Sequence, residues 1–327
     1  MNKKTLIILV VILAFIAISV GVFFVLQKDI LPNNQAGDKC GDGICDEKEK
    51  ANPELCPEDC EGDVPTTVFD LKYSSVESDA VKLDLYFPEK TCNGKLPLIV
   101  MIHGGAFKAG DKYPADTSFL TDNCYAVASI NYRLSDEAIF PAGNYDVKSA
   151  VRWLRANADK YNLDSENFGV MGGSAGGYYS SFLGTTGDIK DFDAGDNLEY
   201  SSAVQAVVNQ YGIADFSTLA QNRKDLELPG SIVESNYLGC DIRSADCTNA
   251  VKASPINYVS KEDPPFFILH GEEDTQIPIN QSQDFYKKLQ NTGVISEFIS
   301  IPGAGHGGKE FNNYKPQILS FFNEHLK

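Results

Sequence analysis

The sequence predicts an α/β fold built on one mainly parallel sheet, and three observations carry that expectation. Short, almost wholly apolar runs such as Leu98 to Ile102 and Tyr125 to Asn131 read as strands covered on both faces, as parallel strands are. They alternate with segments whose apolar residues recur at helical spacing. Where one such run ends, in "FGVMGGSAGGYYSS" (Phe168 to Ser181), a serine sits among glycines in what must be a sharp strand-to-helix turn.

Three regions precede or make up this fold. The 327 residues are 43% hydrophobic, enough for one large domain with accessory segments. Residues 1–27 read as a short stub and a membrane anchor, because Thr5 to Leu26 carries no charge and at helical rise covers the ~30 Å hydrocarbon core. A cleaved signal peptide is the competing reading, yet its apolar region would be shorter and followed by small residues, whereas this one ends in "FFVLQKD". Lys3 and Lys4 hold the N-terminus in the cytoplasm, so everything after Gln27 faces outward, as a membrane-anchored or, after cleavage, secreted domain. The net charge of -17 becomes still more negative once those two lysines are set aside, which argues against nucleic acid as a partner.

Residues 28–62 form an acidic, cysteine-rich linker module. Cys40, Cys45, Cys56 and Cys60 fall in a segment too short to bury a core, so disulfides are the expected source of its order. Asp42, Asp46, Glu49 and Asp59 offer oxygen ligands to Ca²⁺, but the spacing lacks the D-x-D-x-D-G loop and no metal is assigned. The other four of the eight cysteines lie downstream, in keeping with an oxidising compartment. Cys92 and Cys124 each come shortly before a strand, so neighbouring parallel strands would bring them together. Cys240 and Cys247 enclose a short loop and are the remaining pair.

The main domain, residues 63–327, opens with strands in "TTVFDLKYSS" and "VKLDLYFPE", where Val81, Leu83, Leu85 and Phe87 alternate. After the strands at Leu98 and Tyr125, apolar residues from Val147 to Tyr161 recur at helical spacing. A strand at Asn167 to Met171, a helix after Ser174, and strands at Val204 to Tyr211 and Pro265 to His270 follow. A helix around Gln281 to Gln290, a strand at Glu297 to Ile301 and a last helix to Leu326 complete the series. The stretch from Ala214 to Asp263 shows no sustained period and is expected as an irregular insertion over the carboxyl ends of the strands, where sites form in such sheets.

"GGSAG", Gly172 to Gly176, is G-x-S-x-G between a strand and a helix, the context in which a serine is held strained with its oxygen exposed. Gly172 and Gly176 leave room for the adjacent elements, and the Ala175 N–H points toward an oxyanion formed at Ser174. A hydroxyl needs a base, and the chain has four histidines. His325 ends a terminal helix, His270 ends a buried strand and His103 begins a glycine-rich turn. His306, in "IPGAGHGG" after the last strand, is the one placed to reach the serine. The orienting acid should lie between serine and histidine in the chain, and "HGEEDTQIP" supplies Glu272, Glu273 and Asp274.

"HGEEDTQIP" resembles the H-G-x-x-D-x-x-V-P loop of α/β-hydrolase carboxylesterases, which implies Asp274 as the acid. "IHGGAFKAG", Ile102 to Gly110, resembles the H-G-G-G-type turn of esterases related to hormone-sensitive lipase and of bifunctional feruloyl and acetyl xylan esterases, with alanine in place of the third glycine. The resemblance implies backbone donors at Gly105 and Ala106 beside Ala175, with His103 and Gly104 supporting the turn. "NYRL" from Asn131 and "ASPINYV" from Ala253 also match, over residues 66 to 326. The implied activity is a serine esterase that needs no metal or organic cofactor. A peptidase or amidase of the same fold is a second reading, and a non-catalytic surface binding protein on a hydrolase scaffold a third. No room is left before the first strand for the helical cap usual in hormone-sensitive lipase relatives. Short-chain or carbohydrate-linked acyl groups are therefore the expected substrates, under a roof made by the insertion.

Overall fold

The computed structural model describes residues 66–222 and 231–327. The apolar segment Thr5–Leu26, Cys40, Cys45, Cys56 and Cys60, and Asp42, Asp46, Glu49 and Asp59 lie outside the described residues. Among the described residues no helix is long and apolar enough to cross a membrane.

In chain order the elements are β1 (Thr67–Lys72), β2 (Lys82–Tyr86), β3 (Leu96–Ile102), α1 (Ser118–Thr121), β4 (Ala126–Ile130), α2 (Ala142–Ala156), β5 (Leu163–Gly173) and α3 (Ala175–Thr186). Then come β6 (Ala206–Gln210), α4 (Phe216–Asn222), α5 (Ser231–Leu238), α6 (Thr248–Ala253), β7 (Phe266–Gly271), α7 (Asn280–Thr292), β8 (Ser296–Ile301) and α8 (Lys315–Leu326). The strands form one sheet in the order β1-β2-β4-β3-β5-β6-β7-β8. Pairing is antiparallel from β1 through β2 to β4 and parallel from β4 to β8.

This order places a switch point beside β3, whose neighbours β4 and β5 lie on opposite sides of it. Connections leaving β3 and β5 at their carboxyl ends therefore diverge and open a crevice, where α/β sheets take their ligands. Alternate residues of the strands enter two separate cores. Leu98, Val100 and Ile102 of β3 join a cluster with Val147 and Leu154 of α2 and Tyr178 and Phe182 of α3. Ile99 joins the other, with Ile318, Phe321 and Phe322 of α8. The buried, two-sided strands explain the unbroken apolar runs in the sequence. Every residue of α3 is buried, so this helix runs through the core with no solvent-exposed face.

Two expectations change. The helix expected between Asp146 and Tyr161 occupies Ala142–Ala156, beginning directly after Pro141. Arg133 fastens its first turn, with Nε 2.8 Å from Asp146 Oδ2 and Nη2 2.7 Å from Asp146 Oδ1. The insertion 214–263 is not irregular: it holds α4, α5, α6 and a 3₁₀ turn at Pro255–Tyr258. These helices are too short to leave a periodic signal, and their order comes from packing. Phe216 and Tyr237 are buried, and the Tyr237 ring stacks on Phe107 with centroids 4.0 Å apart.

Cys92 and Cys124 are joined, as are Cys240 and Cys247. The first bridge ties the entries of the parallel neighbours β3 and β4. Peptide mapping of native protein without reductant is expected to recover both pairs, and a free thiol at any of the four positions would contradict this arrangement.

Candidate active site

Ser174 follows the last residue of β5 and precedes the first of α3, with φ 57° and ψ -117°. Such a conformation strains any residue with a side chain, so the surroundings must enforce it. Its N–H donates to Gln210 O at the end of β6, 2.9 Å away. A Cβ on Gly176 would stand 2.0 Å from the Ile102 carbonyl oxygen, and one on Gly172 2.6 Å from the same atom. Only glycine lets the turn press against the end of β3.

His306 reaches this serine from the loop after β8. Its Nε2 lies 2.9 Å from Ser174 Oγ and its Nδ1 2.8 Å from Asp274 Oδ2. Asp274, fully buried at the side chain, accepts at Oδ1 from the N–H groups of Gln276 and Ile277, at 2.8 and 2.9 Å. Its Oδ2 is also 3.3 Å from Nε2 of the buried His270. That Nε2 lies 2.8 Å from the Ile277 carbonyl, so it carries the proton, and Nδ1 accepts from Ser282 Oγ at 2.7 Å. Burial alone would raise the Asp274 pKa, but hydrogen bonds from His270 and His306 outweigh it and hold the carboxyl well below the usual range. The carboxylate requires His306 to present Nδ1–H to it, leaving Nε2 free to accept the serine proton.

The other sequence candidates divide clearly. Glu272 and Glu273 are exposed, and Glu272 Oε1 accepts from Ser300 Oγ at 2.9 Å. His325 lies in the last turn of α8, its ring edge-on against that of Phe321, and is not among the residues lining the cavity that holds Ser174. His103 supports the turn after β3: its ring stacks on Tyr132 at 4.5 Å and Nδ1 lies 2.7 Å from Gly104 O. Burial lowers its pKa, which keeps it neutral.

Gly105, Ala106 and Phe107 all have positive φ, at 116°, 56° and 60°. At Gly105 a Cβ would stand 2.0 Å from the Ala109 carbonyl oxygen. Two residues with side chains hold left-handed backbone here because Phe107, 2% exposed, is locked among Tyr178, Tyr179, Phe216 and Tyr237. Among the described residues, no backbone carbonyl accepts from the N–H of Gly105 or Ala106, and the Ala175 N–H opens α3, where intrahelical acceptors are lacking. Gly105, Ala106, Ser174 and His306 line one cavity of about 490 Å³.

"NYRL" acquires a physical meaning. Asn131 Oδ1 accepts from Lys112 N at 2.6 Å, Tyr132 OH donates to His103 O at 2.9 Å, and Arg133 grips α2. Three consecutive residues thus fasten the loop that borders the serine and the helix behind it. Tyr211, which the sequence did not single out, also belongs to the site. Its ring packs edge-on against His306 with centroids 4.9 Å apart and lines the cavity. The described residues of the insertion are not among those that line this cavity, and residues 223–230, in the middle of the insertion expected to roof it, lie outside the described residues. Phe216 and Tyr237 of the insertion are buried against Phe107, behind the 105–107 turn. Among the described residues no group of His, Cys, Asp or Glu is arranged to hold a metal ion.

The sheet order, the strained serine at its switch point and the serine–histidine–aspartate chain define an α/β-hydrolase fold. The BD-FAE family profile matches residues 83–289, and the chain belongs to that family. The resemblance to α/β-hydrolase esterases is thereby borne out. The probable carboxylic ester hydrolase LipM of Mycobacterium tuberculosis is 33% identical over 207 residues, 62% of this chain and 47% of that protein. Esterase LipQ of the same organism is 31% identical over 227 residues, 67% of this chain and 52% of its own length. The chain thus spans about half the length of these curated relatives. Among solved structures, a truncated carbohydrate esterase from gut microbiota superposes with a TM-score of 0.73 at 33% identity, covering 79% of this chain and 95% of that one.

The depressed Asp274 pKa has a signed consequence for stability. A carboxylate whose folded pKa lies below its ordinary value of 3.8 stabilises the fold at pH above that value and loses the contribution as pH falls toward the folded pKa. Thermal melts of wild type and Asp274→Asn are expected to differ by a constant amount above about pH 5 and to converge as pH drops below about 4. A gap that widens on acidification would contradict the ionised, bonded carboxylate.

Proposed function

We propose that the protein is a serine carboxylesterase acting through an acyl-enzyme. The observation that carries this reading is the continuous hydrogen-bonded chain from Ser174 through His306 to Asp274, opening on a cavity that also presents Gly105 and Ala106. Ser174 Oγ attacks the ester carbonyl as His306 Nε2 takes its proton. Negative charge developing on the carbonyl oxygen is met by the N–H groups of Gly105, Ala106 and Ala175, donors held by backbone that needs no reorganisation. The imidazolium then protonates the departing alcohol, and water enters by the reverse proton path to release the acid. Asp274 holds the tautomer and stabilises the transient imidazolium.

Names of related proteins and the character of the cavity support acyl groups that are short or carried on carbohydrate. Asp111, Lys112, Asp116, Gln210 and Gln276 line it beside glycines, a setting suited to a hydroxylated alcohol portion rather than a lipid tail. A long acyl chain would need an apolar tunnel to bury its methylenes at ~0.8 kcal/mol each. We place the catalytic domain outside the cytoplasm, anchored by Thr5–Leu26. The length and lack of charge of that segment, Lys3 and Lys4 before it, and the Cys92–Cys124 and Cys240–Cys247 bridges support this placement.

Ser174→Ala is expected to reduce hydrolysis of p-nitrophenyl acetate by a factor on the order of 10⁶ with little change in melting temperature. Substantial turnover by the folded variant would overturn the nucleophile. Across p-nitrophenyl esters, kcat/KM is expected to be highest from acetate to butyrate and to fall steeply by laurate. A maximum at laurate or palmitate would favour a lipase.

A further inference from the structure

An aromatic pair stands at the rim of the cavity, on a support that the esterase chemistry does not use. Tyr113 lies between Lys112 and Pro114, both of which line the cavity, while its own ring remains 60% exposed. Beside it is Phe69, 42% exposed, its ring edge-on to that of Tyr113 at 74° with centroids 6.2 Å apart. Single exposed apolar residues need no explanation, but these two are gathered from remote parts of the chain.

The gathering is built into the backbone. Phe69 and Asp70 fall in a β-bulge of the edge strand β1, where Val68 pairs with Leu85 and Leu71 with Leu83, leaving one extra residue on β1. Asp70 adopts a positive φ of 56° there. Bulges re-aim side chains, and this one turns Phe69 toward Tyr113. The Asp70 N–H donates to Asp84 Oδ1 at 2.8 Å, and Lys112 Nζ bridges Asp70 Oδ1 at 2.9 Å and Asp84 Oδ1 at 2.8 Å. Asp84 has no exposed surface and Lys112 little, so their pair is a buried ion pair between β2 and the loop that walls the cavity, and the exposed Asp70 ties β1 to it. Burying the Lys112–Asp84 pair carries a desolvation cost that an incidental surface contact would not justify. The same loop projects the exposed carboxylates of Asp111 and Asp116. Asp111 Oδ1 accepts from the Tyr113 N–H at 2.9 Å, which keeps that carboxylate next to the tyrosine, and Asp116, on the same cavity wall, pairs with Lys315 at the start of α8.

We propose that Tyr113, braced edge-on by Phe69, forms a sugar-binding platform at the mouth of the active site, which holds a ring of a neutral oligosaccharide while its ester reaches Ser174. This rests on the esterase reading for the direction of the bound chain but not for binding itself. A pyranose presents C–H groups on its face and hydroxyls around its rim. The Tyr113 ring meets the first, and Asp111 and Asp116 accept from the second. The platform lies outside the reacting atoms and acts on affinity for the alcohol portion.

The test compares an acetylated xylo-oligosaccharide with p-nitrophenyl acetate, using the full chain. Tyr113→Ala and Phe69→Ala are expected to lower kcat/KM for the oligosaccharide by about 3- to 10-fold more than for p-nitrophenyl acetate, mainly through KM, as suits the loss of one aromatic contact. Tyr113→Trp should retain the preference, and Ile295→Ser, at an exposed apolar residue elsewhere, should leave the ratio of the two substrates as it is. Equal losses on both substrates, or no loss on the oligosaccharide, would overturn the platform. Calorimetric titration of Ser174→Ala with unesterified xylo-oligosaccharide separates the two readings. Binding weakened by Tyr113→Ala supports the platform whatever the ester activity, and hydrolysis of p-nitrophenyl acetate without any oligosaccharide binding overturns the platform while leaving the esterase.

Discussion

The site depends on one close approach, that of the Gly172–Gly176 turn to the carbonyl end of β3 at Ile102. Any side chain at Gly176 would force the turn away from that oxygen, since a Cβ there would lie 2.0 Å from it. The contact sets the distance between two loops that come from different strands. One carries Ser174 and the other Gly105 and Ala106, and their shared cavity exists because β3 and β5 are adjacent at the switch point of the sheet. The strain at Ser174 is the local cost of this arrangement, and the buried α3 and the bond from Ser174 N–H to Gln210 O hold it in place.

The second loop is held from behind. Phe107 occupies a cage of aromatic rings contributed by α3 and by the insertion, where Tyr237 OH donates to Asn144 Oδ1 at 2.7 Å. Thus the insertion acts as part of the core: it fixes the turn that presents backbone N–H groups. Tyr132 holds the other end of the turn through the His103 carbonyl. Backbone donors are only useful to an oxyanion if they stay aimed, and here rigidity comes from the packing of the residues that flank the donors.

Much of this was legible in the sequence, for identifiable reasons. Parallel strands announce themselves as unbroken apolar runs, and the glycines around Ser174 are demanded by contacts that no other residue can make. His306 and Asp274 could be chosen because few histidines exist and because the residues around them resemble a known family. Tyr211 and Phe107 could not. Their roles depend on which aromatic rings meet in three dimensions, and an aromatic residue in a sequence carries no sign of its neighbours. The helices of the insertion were hidden because each is too short to show a period. The bulge at Phe69 was hidden because register belongs to a pair of strands, and one strand read alone does not reveal it.

The buried carboxylate of Asp274 shows how the remaining pieces combine. Two backbone N–H groups and two imidazoles surround it, so its charge is met from every side and it does not require a lysine or arginine nearby. His270 is itself tied to Ser282 and to the Ile277 carbonyl, which orients its Nε2–H toward the carboxylate as well. Were His270 the base, its proton would have to pass through groups that already use both ring nitrogens. His306 has one nitrogen committed to Asp274 and the other directed at Ser174, which is the division of labour a general base needs. The two histidines contact the same oxygen, yet only the one that faces the cavity, beside Tyr211, has the Ser174 hydroxyl to activate. Position on the loop after β8 rather than any property of imidazole separates a structural histidine from a reactive one.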